Sequence, residues 1–355
     1  MGIETLTRSA KITYEEWFAQ QPNGIDRLLF PLSDADTSAS FMMDRFIQTP
    51  AGIVYRDANN QSHIRPYEPG TGYIYNVPRA SEKTPIGEEL RDAAITGVDP
   101  TSSQTTHVQK LLSDIVKDHV AGHNVTKWKQ AIDVIFEGEF YAKGDSGTDI
   151  NLGIDFDRAS ANELTHDFTS TDTQPIAFKE MQDQLIAQGS PTSNIIAILG
   201  ETYLNDFFTD TDITAYLQAN SATQLLEMQM MPESLKGNSQ IKVLATYRAP
   251  NMIVPVYVCS FSPGAVYYPY KGASATDWIT KTKAAMFSLD SPRYYITRGM
   301  DIRNDSGETQ RVVGDIVFDT YSENDPIVDF LRSQTRHIFI PGNINHTVVS
   351  TGTFS

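Results

Sequence analysis

A long apolar-periodic stretch that runs straight into an alternating, turn-punctuated segment constrains this chain more than any other feature. From about Thr105 to Ile135, the residues Val108, Leu111, Leu112, Ile115, Val116 and His119 recur at i, i+3, i+4, i+7, i+8 and i+11, lining one face of an amphipathic helix. Ser102, Ser103, Thr105 and Thr106 offer N-caps. Val125, Trp128, Ala131, Ile132 and Ile135 resume the stripe after Gly122, His123 and Asn124, where any bend is expected. Unbroken, such a helix reaches roughly 45 Å at ~1.5 Å per residue. It leads directly into Phe136–Tyr141 and Ile150–Phe156, two alternating runs around the turn formers of Lys143–Thr148, the pattern of a β-hairpin.

Before the helix the chain reads as extended. Thr13 can cap a short helix Tyr14–Gln20, with Glu16 placed as in a capping box, and Ile25–Leu32 is a compact apolar patch. Residues 51–100 are punctuated by prolines and glycines, with strand-like pieces at Gly52–Arg56, Tyr73–Val77 and Glu89–Ala94. From about Arg65 to Glu89 the aromatics Tyr67, Tyr73 and Tyr75, with Ile74, have no evident intrachain core. They are expected to cover a neighbouring molecule, or else to form an edge hairpin of an ordinary β domain. After Asp172 the pattern becomes mixed α/β. Helices are expected at Gln174–Gln188, Gly200–Phe208 and Ile213–Gln229. Strands are expected at Asn194–Leu199, Lys242–Arg248, Met252–Phe261, Val266–Tyr270, Tyr294–Arg298, Val312–Tyr321, Arg336–Ile340 and His346–Val349.

The passage from helix to hairpin resembles the lambda-type major capsid proteins of tailed phages (major capsid protein E). The residues that carry the likeness are Val134-Ile135, Gly138, Phe140, Gly144, Ile154-Asp155-Phe156 and Arg158, and the resemblance extends in order from about residue 25 to the end. It implies an α+β, Hong Kong 97-like capsid fold: residues 1–50 an N-terminal arm, 51–100 an extended β-hairpin loop, and 101–174 a peripheral domain of spine helix and long hairpin. An α/β axial domain at 175–335 and a C-terminal strand, 336–355, returning to the peripheral domain complete it. The implied work is assembly of pentamers and hexamers into an icosahedral head around double-stranded DNA, in a virion built in the host cytoplasm. Portal and scaffold proteins are the implied partners, with a decoration protein as a further one. Tyr67, Tyr73, Ile74, Tyr75, Asp155 and Asp157 become candidate intersubunit contacts. A nanocompartment (encapsulin-like) shell protein is the alternative within the fold, and a cytosolic α+β hydrolase using a carboxylate pair is the alternative outside it.

Composition narrows the choice. The 355 residues suffice for two or three domains. With 44 acidic against 28 basic residues the formal charge is −16, and no block of Lys or Arg occurs, which argues against tight nucleic-acid binding but not against enclosing it. No apolar run approaches the roughly 20 residues that cross a bilayer, so no membrane partner is expected. The first residues lack a signal-peptide core, and Leu6 departs from the myristoylation pattern. The lone Cys259 lies in an apolar run and reads as a buried thiol, in a chain that needs no oxidising compartment.

Chemical motifs are present but incomplete. Gly144-Asp145-Ser146-Gly147 copies a serine-protease nucleophile loop, yet a helix precedes it and the composition suits a hairpin turn. His119 and His123 have a zinc-compatible i, i+4 spacing without an intervening glutamate or a third ligand, so one surface and one helix-face histidine are expected. Asp155 with Asp157, and Asp210 with Asp212, resemble carboxylate pairs that alternate positions would put on one strand face. Met228, Met230 and Met231 are expected to fill core gaps. No cofactor, metal or catalytic residue is predicted.

Overall fold

The computed structural model describes residues 24–36, 40–45, 71–86, 103–142, 154–170, 172–236, 238, 240–248, 252–261, 276–303, 309–324 and 327–354, with the side chains of 40–45, 71–76, 86, 103–111, 222, 225, 303 and 320–329 outside the description. The expected helix at Tyr14–Gln20, the strands Gly52–Arg56, Glu89–Ala94 and Val266–Tyr270, Tyr67 and the Gly144–Gly147 turn all lie outside the described residues.

The described chain begins with helix α1 (Ile25–Leu29) and strands β1 (Leu32–Asp36), β2 (Ser40–Arg45), β3 (Thr71–Asn76) and β4 (Arg79–Ile86). The spine helix α2 (Ser103–Phe136) follows, then β5 (Glu139–Phe140), β6 (Ile154–Asp155) and β7 (Glu163–Asp167). Helix α3 (Gln174–Ala187), strand β8 (Ile195–Leu199) and helices α4 (Glu201–Thr209), α5 (Thr211–Ala219), α6 (Ser221–Gln229) and α7 (Glu233–Lys236) lead to β9 (Ile241–Tyr247) and β10 (Val256–Phe261). The chain closes with β11 (Lys283–Ser288), β12 (Arg293–Arg298), β13 (Met300–Arg303), β14 (Thr309–Val312), β15 (Val317–Asn324), β16 (Ile327–Pro341) and β17 (Thr347–Thr353).

Two cores share one sheet. The six-stranded sheet runs β7-β17-β11-β8-β10-β9, with β8 central and buried along its whole length. Successive strand side chains point to opposite faces. Ile195, Ala197 and Leu199 therefore face a core with Phe178, Met181, Tyr203 and Phe207 of the α3–α4 layer. Ile196 and Ile198, with Tyr257, Cys259 and Phe287, face the other core, built on Ile132, Ile135 and Phe136 of the spine, Leu28 and Leu29 of α1, and Tyr295 and Phe339. The Ile25–Leu32 patch is thus core material up to Phe30, whereas Leu32 opens β1 at an exposed edge. Cys259 is fully buried as expected, and burial pushes its thiol up to about 12.

A second sheet lies along the spine. The 15-residue strand β16 is its backbone: Ile327–Gln334 pairs with β15, Asp329–Arg336 with β4 on the other side, and His337–Pro341 with β12. This corrects the expectation that residues 65–89 lack an intrachain core. Val77 is buried and β4 is an integral strand, because the long β16 presents a free edge for it to pair with. The last segment divides likewise: Ile338–Ile340 returns beside the spine, while β17 inserts between β7 and β11 of the other sheet. Ile213–Gln229 is two helices broken at Asn220, and Val312–Tyr321 splits into the end of β14 and the start of β15.

The spine runs unbroken for 34 residues through Gly122–Asn124. Its buried face is rotated from the expected one: Leu112, Val116 and Val120 are buried and Ile115 is half-exposed, because the β4–β16 sheet covers the adjoining stripe. That stripe is polar. His119 bonds Thr84 Oγ1 (2.7 Å), His123 bonds Ser333 Oγ (2.9 Å), Lys127 donates to Asp315 Oδ2 (2.8 Å), and Gln130 Oε1 meets Nε2 of His337 (2.7 Å). Both helix histidines are therefore buried, correcting the expected surface histidine, and each has a hydroxyl partner. Burial alone would raise the Asp315 carboxyl, but the charge and hydrogen bond of Lys127, with the Tyr295 hydroxyl, hold it down at about 2.

This seam makes the fold acid-sensitive. Burial, reinforced by the Lys127 charge and opposed only by Asp315, lowers His123 to about 4 and His337 to about 3, from an ordinary 6.5. The unfolded chain takes up these protons near 6.5 while the folded chain does not. Stability is therefore complete above that value and falls as pH drops towards the folded values, by on the order of 3 kcal/mol per histidine. Denaturation midpoints measured between about pH 7 and about pH 4.5 should fall, and His123→Gln with His337→Gln should flatten that dependence. Asp315 contributes nothing to this window, since its stabilisation is lost only below 3.8, as pH falls towards about 2.

Candidate functional site

The helix-to-hairpin junction is closed by one half-buried arginine. The last carbonyls of any helix lack intrahelical donors. Here Arg158 returns from beyond the hairpin and donates through Nη1 to Phe136 O (2.9 Å) and through Nη2 to Ile135 O (2.5 Å) and Val134 O (3.4 Å). Gly138 sits at φ +75° between helix and strand, where a side chain would be strained, and Arg158 lies against the space a Cβ would fill. Burial lowers the guanidinium pKa, while Glu163, Glu137 and Asp155 oppose that shift. The spacing of Val134-Ile135, Gly138 and Arg158 thus encodes a helix cap with its turn.

The hairpin arms pair Glu139 with Asp155 and Phe140 with Ile154; Phe136 itself still belongs to the helix, and the tip lies outside the described residues. Asp155 and Asp157 are both exposed, but they do not form a pair on one strand face. The strand ends at Asp155, Asp157 adopts φ 50°, and the Asp155 carboxylate accepts the backbone N–H of Asp157 at 2.7 Å. Asp210 and Asp212 do not converge either: Asp210 caps α5 by accepting from the N–H groups of Asp212 (2.8 Å) and Ile213 (3.1 Å). The carboxylate-pair chemistry expected of a hydrolase is therefore absent at both places. Sequence reasoning named Gly138 and Arg158 only as residues carrying the likeness and ran a strand through Gly138; it missed the cap because its two halves lie far apart in sequence.

Tyr73, Ile74 and Tyr75 lie on β3, opposite Met43, Met42 and Phe41 of β2, in a two-stranded sheet of their own. Met230 is 80% exposed and Leu226 61% exposed on the helical layer, so Met230 does not fill a core gap; Met231 packs against the spine-side core. A cleft of about 390 Å³ lies between the spine and residues 277–282, lined by Lys129, Asp133, Glu137, Trp278 and Lys281. Its cations are engaged: Lys129 bonds Asp133 (2.6 Å) and Lys281 bonds Glu201 (3.0 Å). Among the described residues no group of His, Cys, Asp and Glu is arranged to hold a metal, and no helix is long and apolar enough to cross a membrane.

Comparison with known proteins agrees with this architecture. The profile of the family described as phage major capsid protein E matches residues 19–351. The capsid protein of a prophage of Escherichia coli CFT073 has a similar fold, with a TM-score of 0.60 at 11% identity over 94% of each chain. The mature capsid of bacteriophage PhiM1 aligns with TM-score 0.48 at 11% identity, over 94% of this chain and 89% of that one. A phage-related protein of Bordetella bronchiseptica RB50 aligns with TM-score 0.46 at 8% identity, over 99% and 97%. No curated protein sequence matches.

Replacing Arg158 by Ala should strand the terminal carbonyls and cost about 2–4 kcal/mol, with Lys recovering only part. Hydrogen exchange at the Phe156 N–H, which bonds Gly138 O at 3.0 Å, should accelerate in step. Unchanged exchange and stability would show that the arginine does not hold the junction.

Proposed function

Because the chain belongs to the phage major capsid protein E family, we propose that it is the major head protein of a tailed double-stranded-DNA bacteriophage. Its role is structural rather than enzymatic. In this reading copies associate as pentamers and hexamers that close into an icosahedral shell in the host cytoplasm. Portal and scaffold proteins, and a decoration protein, act on that shell, and the genome is enclosed without sequence-specific contact. A formal charge of −16 fits enclosure better than adhesion, since phosphate binding draws on a surplus of Lys and Arg.

The ribbon formed by β2 and β3 carries the proposal. It pairs within itself, while β4, immediately after it, is tied into the sheet along the spine. An isolated two-stranded ribbon is marginal in water, so one attached at its base gains most from a surface supplied by another molecule. Tyr67, Tyr73, Ile74 and Tyr75 are the side chains proposed to make that contact, with Asp155 and Asp157 as a polar contact at the hairpin. Fully burying each large apolar side chain is worth on the order of 1.5–3 kcal/mol, repeated at every copy of the interface.

Replacing Tyr67, Tyr73, Ile74 and Tyr75 together by Ser should leave circular dichroism and solubility unchanged and abolish closed particles in electron micrographs. Complete particles from this variant would remove the ribbon from the interface. Particles recovered from lysed hosts should protect double-stranded DNA from nuclease; a protein cargo in its place would move the reading to a nanocompartment shell.

A further inference from the structure

We infer that Arg79, Arg311 and Arg336 form a docking surface for the acidic hairpin base, Glu139 and Asp155, of a neighbouring copy of this chain. The inference rests on the assembly reading above and supplies a partner for its hairpin contact. It begins with two local conflicts. Arg79 on β4 stands directly opposite Arg336 on β16, and Glu139 on β5 stands directly opposite Asp155 on β6. Like charges facing each other across a strand pair are destabilising. β4 and β16 also set Lys83 opposite Arg332, but there Asp319 bonds Arg332 and the Phe330 ring takes the Lys83 ammonium.

Neighbours deepen both conflicts. Arg311 reaches the arginine pair from β14 and bonds Asp301 of β13 at 2.9 and 3.3 Å. Asp301 is held below the usual carboxylate range by that bond first, with Arg79 and Arg336 acting in the same direction. Partial burial lowers the Arg336 guanidinium, repulsion from Arg311 and Arg79 lowers it further, and Asp301 offsets part of this; its Nε–H donates to Val77 O at 2.9 Å. At the hairpin, burial raises the Glu139 carboxyl, and Asp155, Glu137 and Glu163 raise it further. Glu137 is engaged by Lys283 at 2.6 Å, and Arg158 beneath spends its terminal nitrogens on helix carbonyls. Such departures from local consistency are expected at functional surfaces.

Bringing the two surfaces together removes both costs. Residues opposite each other on paired strands are ~4.5–5.5 Å apart in either case, so two guanidiniums can meet two carboxylates in register. The two surfaces lie on different elements, so the contact is heterologous, the kind whose repetition closes rings. It also gives copies that repel through their net charge of −16 a point of attraction that sets their orientation. A nucleic-acid phosphate could meet the same arginines, but the surrounding acidic surface opposes it.

The test is a charge swap. R79E/R336E and E139K/D155K should each remain folded by circular dichroism and lose particles at near-physiological salt, while the chain carrying all four changes should recover them. An equal mixture of the two double variants can satisfy every contact only in rings of even membership, so it should give hexameric sheets or tubes without five-fold closure. R79Q/R336Q, which removes charge without reversing it, covers a failure of the reversed chain to fold and should raise the assembly threshold about tenfold. Particle yield equal to wild type from R79E/R336E, or no recovery in the fourfold variant, overturns the inference. So does normal assembly with loss of bound nucleic acid, which would make phosphate the occupant. A wild-type chain that forms no particles under any condition would instead overturn the assembly reading and take this contact with it.

Discussion

The guanidinium of Arg158 against the end of the spine helix is the contact on which the rest of this molecule depends. A 34-residue helix ends in carbonyls that must find donors, and here its end is packed into the larger core. A water-filled end would have loosened Ile135 and Phe136, which form that core with Phe339 and Phe287. By donating from beyond the hairpin, Arg158 fixes the helix terminus and the hairpin's return strand with one group. Arg293 repeats the device at the end of α1. It is buried, donates to Leu29 O at the end of α1, to Ser288 O (2.7 Å) at the end of β11 and to Leu289 O (3.3 Å) in the turn beyond, and stacks over the Phe287 ring. Desolvation lowers its pKa to about 10, leaving it cationic in neutral solution. Chain reversals here are held by planar, multiply donating cations, which lysine could not imitate.

The polar seam follows a different rule from the two cores. Between the spine and the β4–β16 sheet, imidazoles, an ammonium and an amide meet hydroxyls and a carboxylate. Polar contacts of this kind have directions and partners, so they fix the angular register of helix against sheet more tightly than interchangeable aliphatic side chains would. Lys127 is the costliest member. It is nearly fully buried and rests against Asp315, with Asp26, itself raised by burial, close enough to feel the same charge.

Elements whose own composition decides them were legible in the sequence. The spine, the buried strand at Ile195–Leu199 and the β9–β10 pair announce themselves by periodicity or by unbroken aliphatics. What failed to show was decided by partners. Ser333, Gln334 and Thr335 are almost fully buried in β16, yet nothing in a polar run says so until His123 and Asp319 are brought against it. Ile115 matched the helical period but lost its cover to Val116, because the sheet lies to one side of the predicted stripe. Asp155 and Asp157 were separable only by the φ of Asp157. The facing of Arg79 and Arg336 is a matter of register between segments far apart in sequence, which no local pattern carries.

The spine helix and β16 run side by side in the same direction, since His123 meets Ser333 and Gln130 meets His337. At ~1.5 Å per helical residue and ~3.3 Å per strand residue, both are roughly 50 Å long. Two beams of equal length bonded at intervals behave as a laminate, whose bending stiffness depends on whether the layers can slide over one another. The hydroxyl, amide and carboxylate ties along the seam act as shear pins, and each is short enough to break and re-form singly. A wall made of such units would resist steady outward pressure as a stiff plate. It could still yield by slip along one plane, without tearing either core.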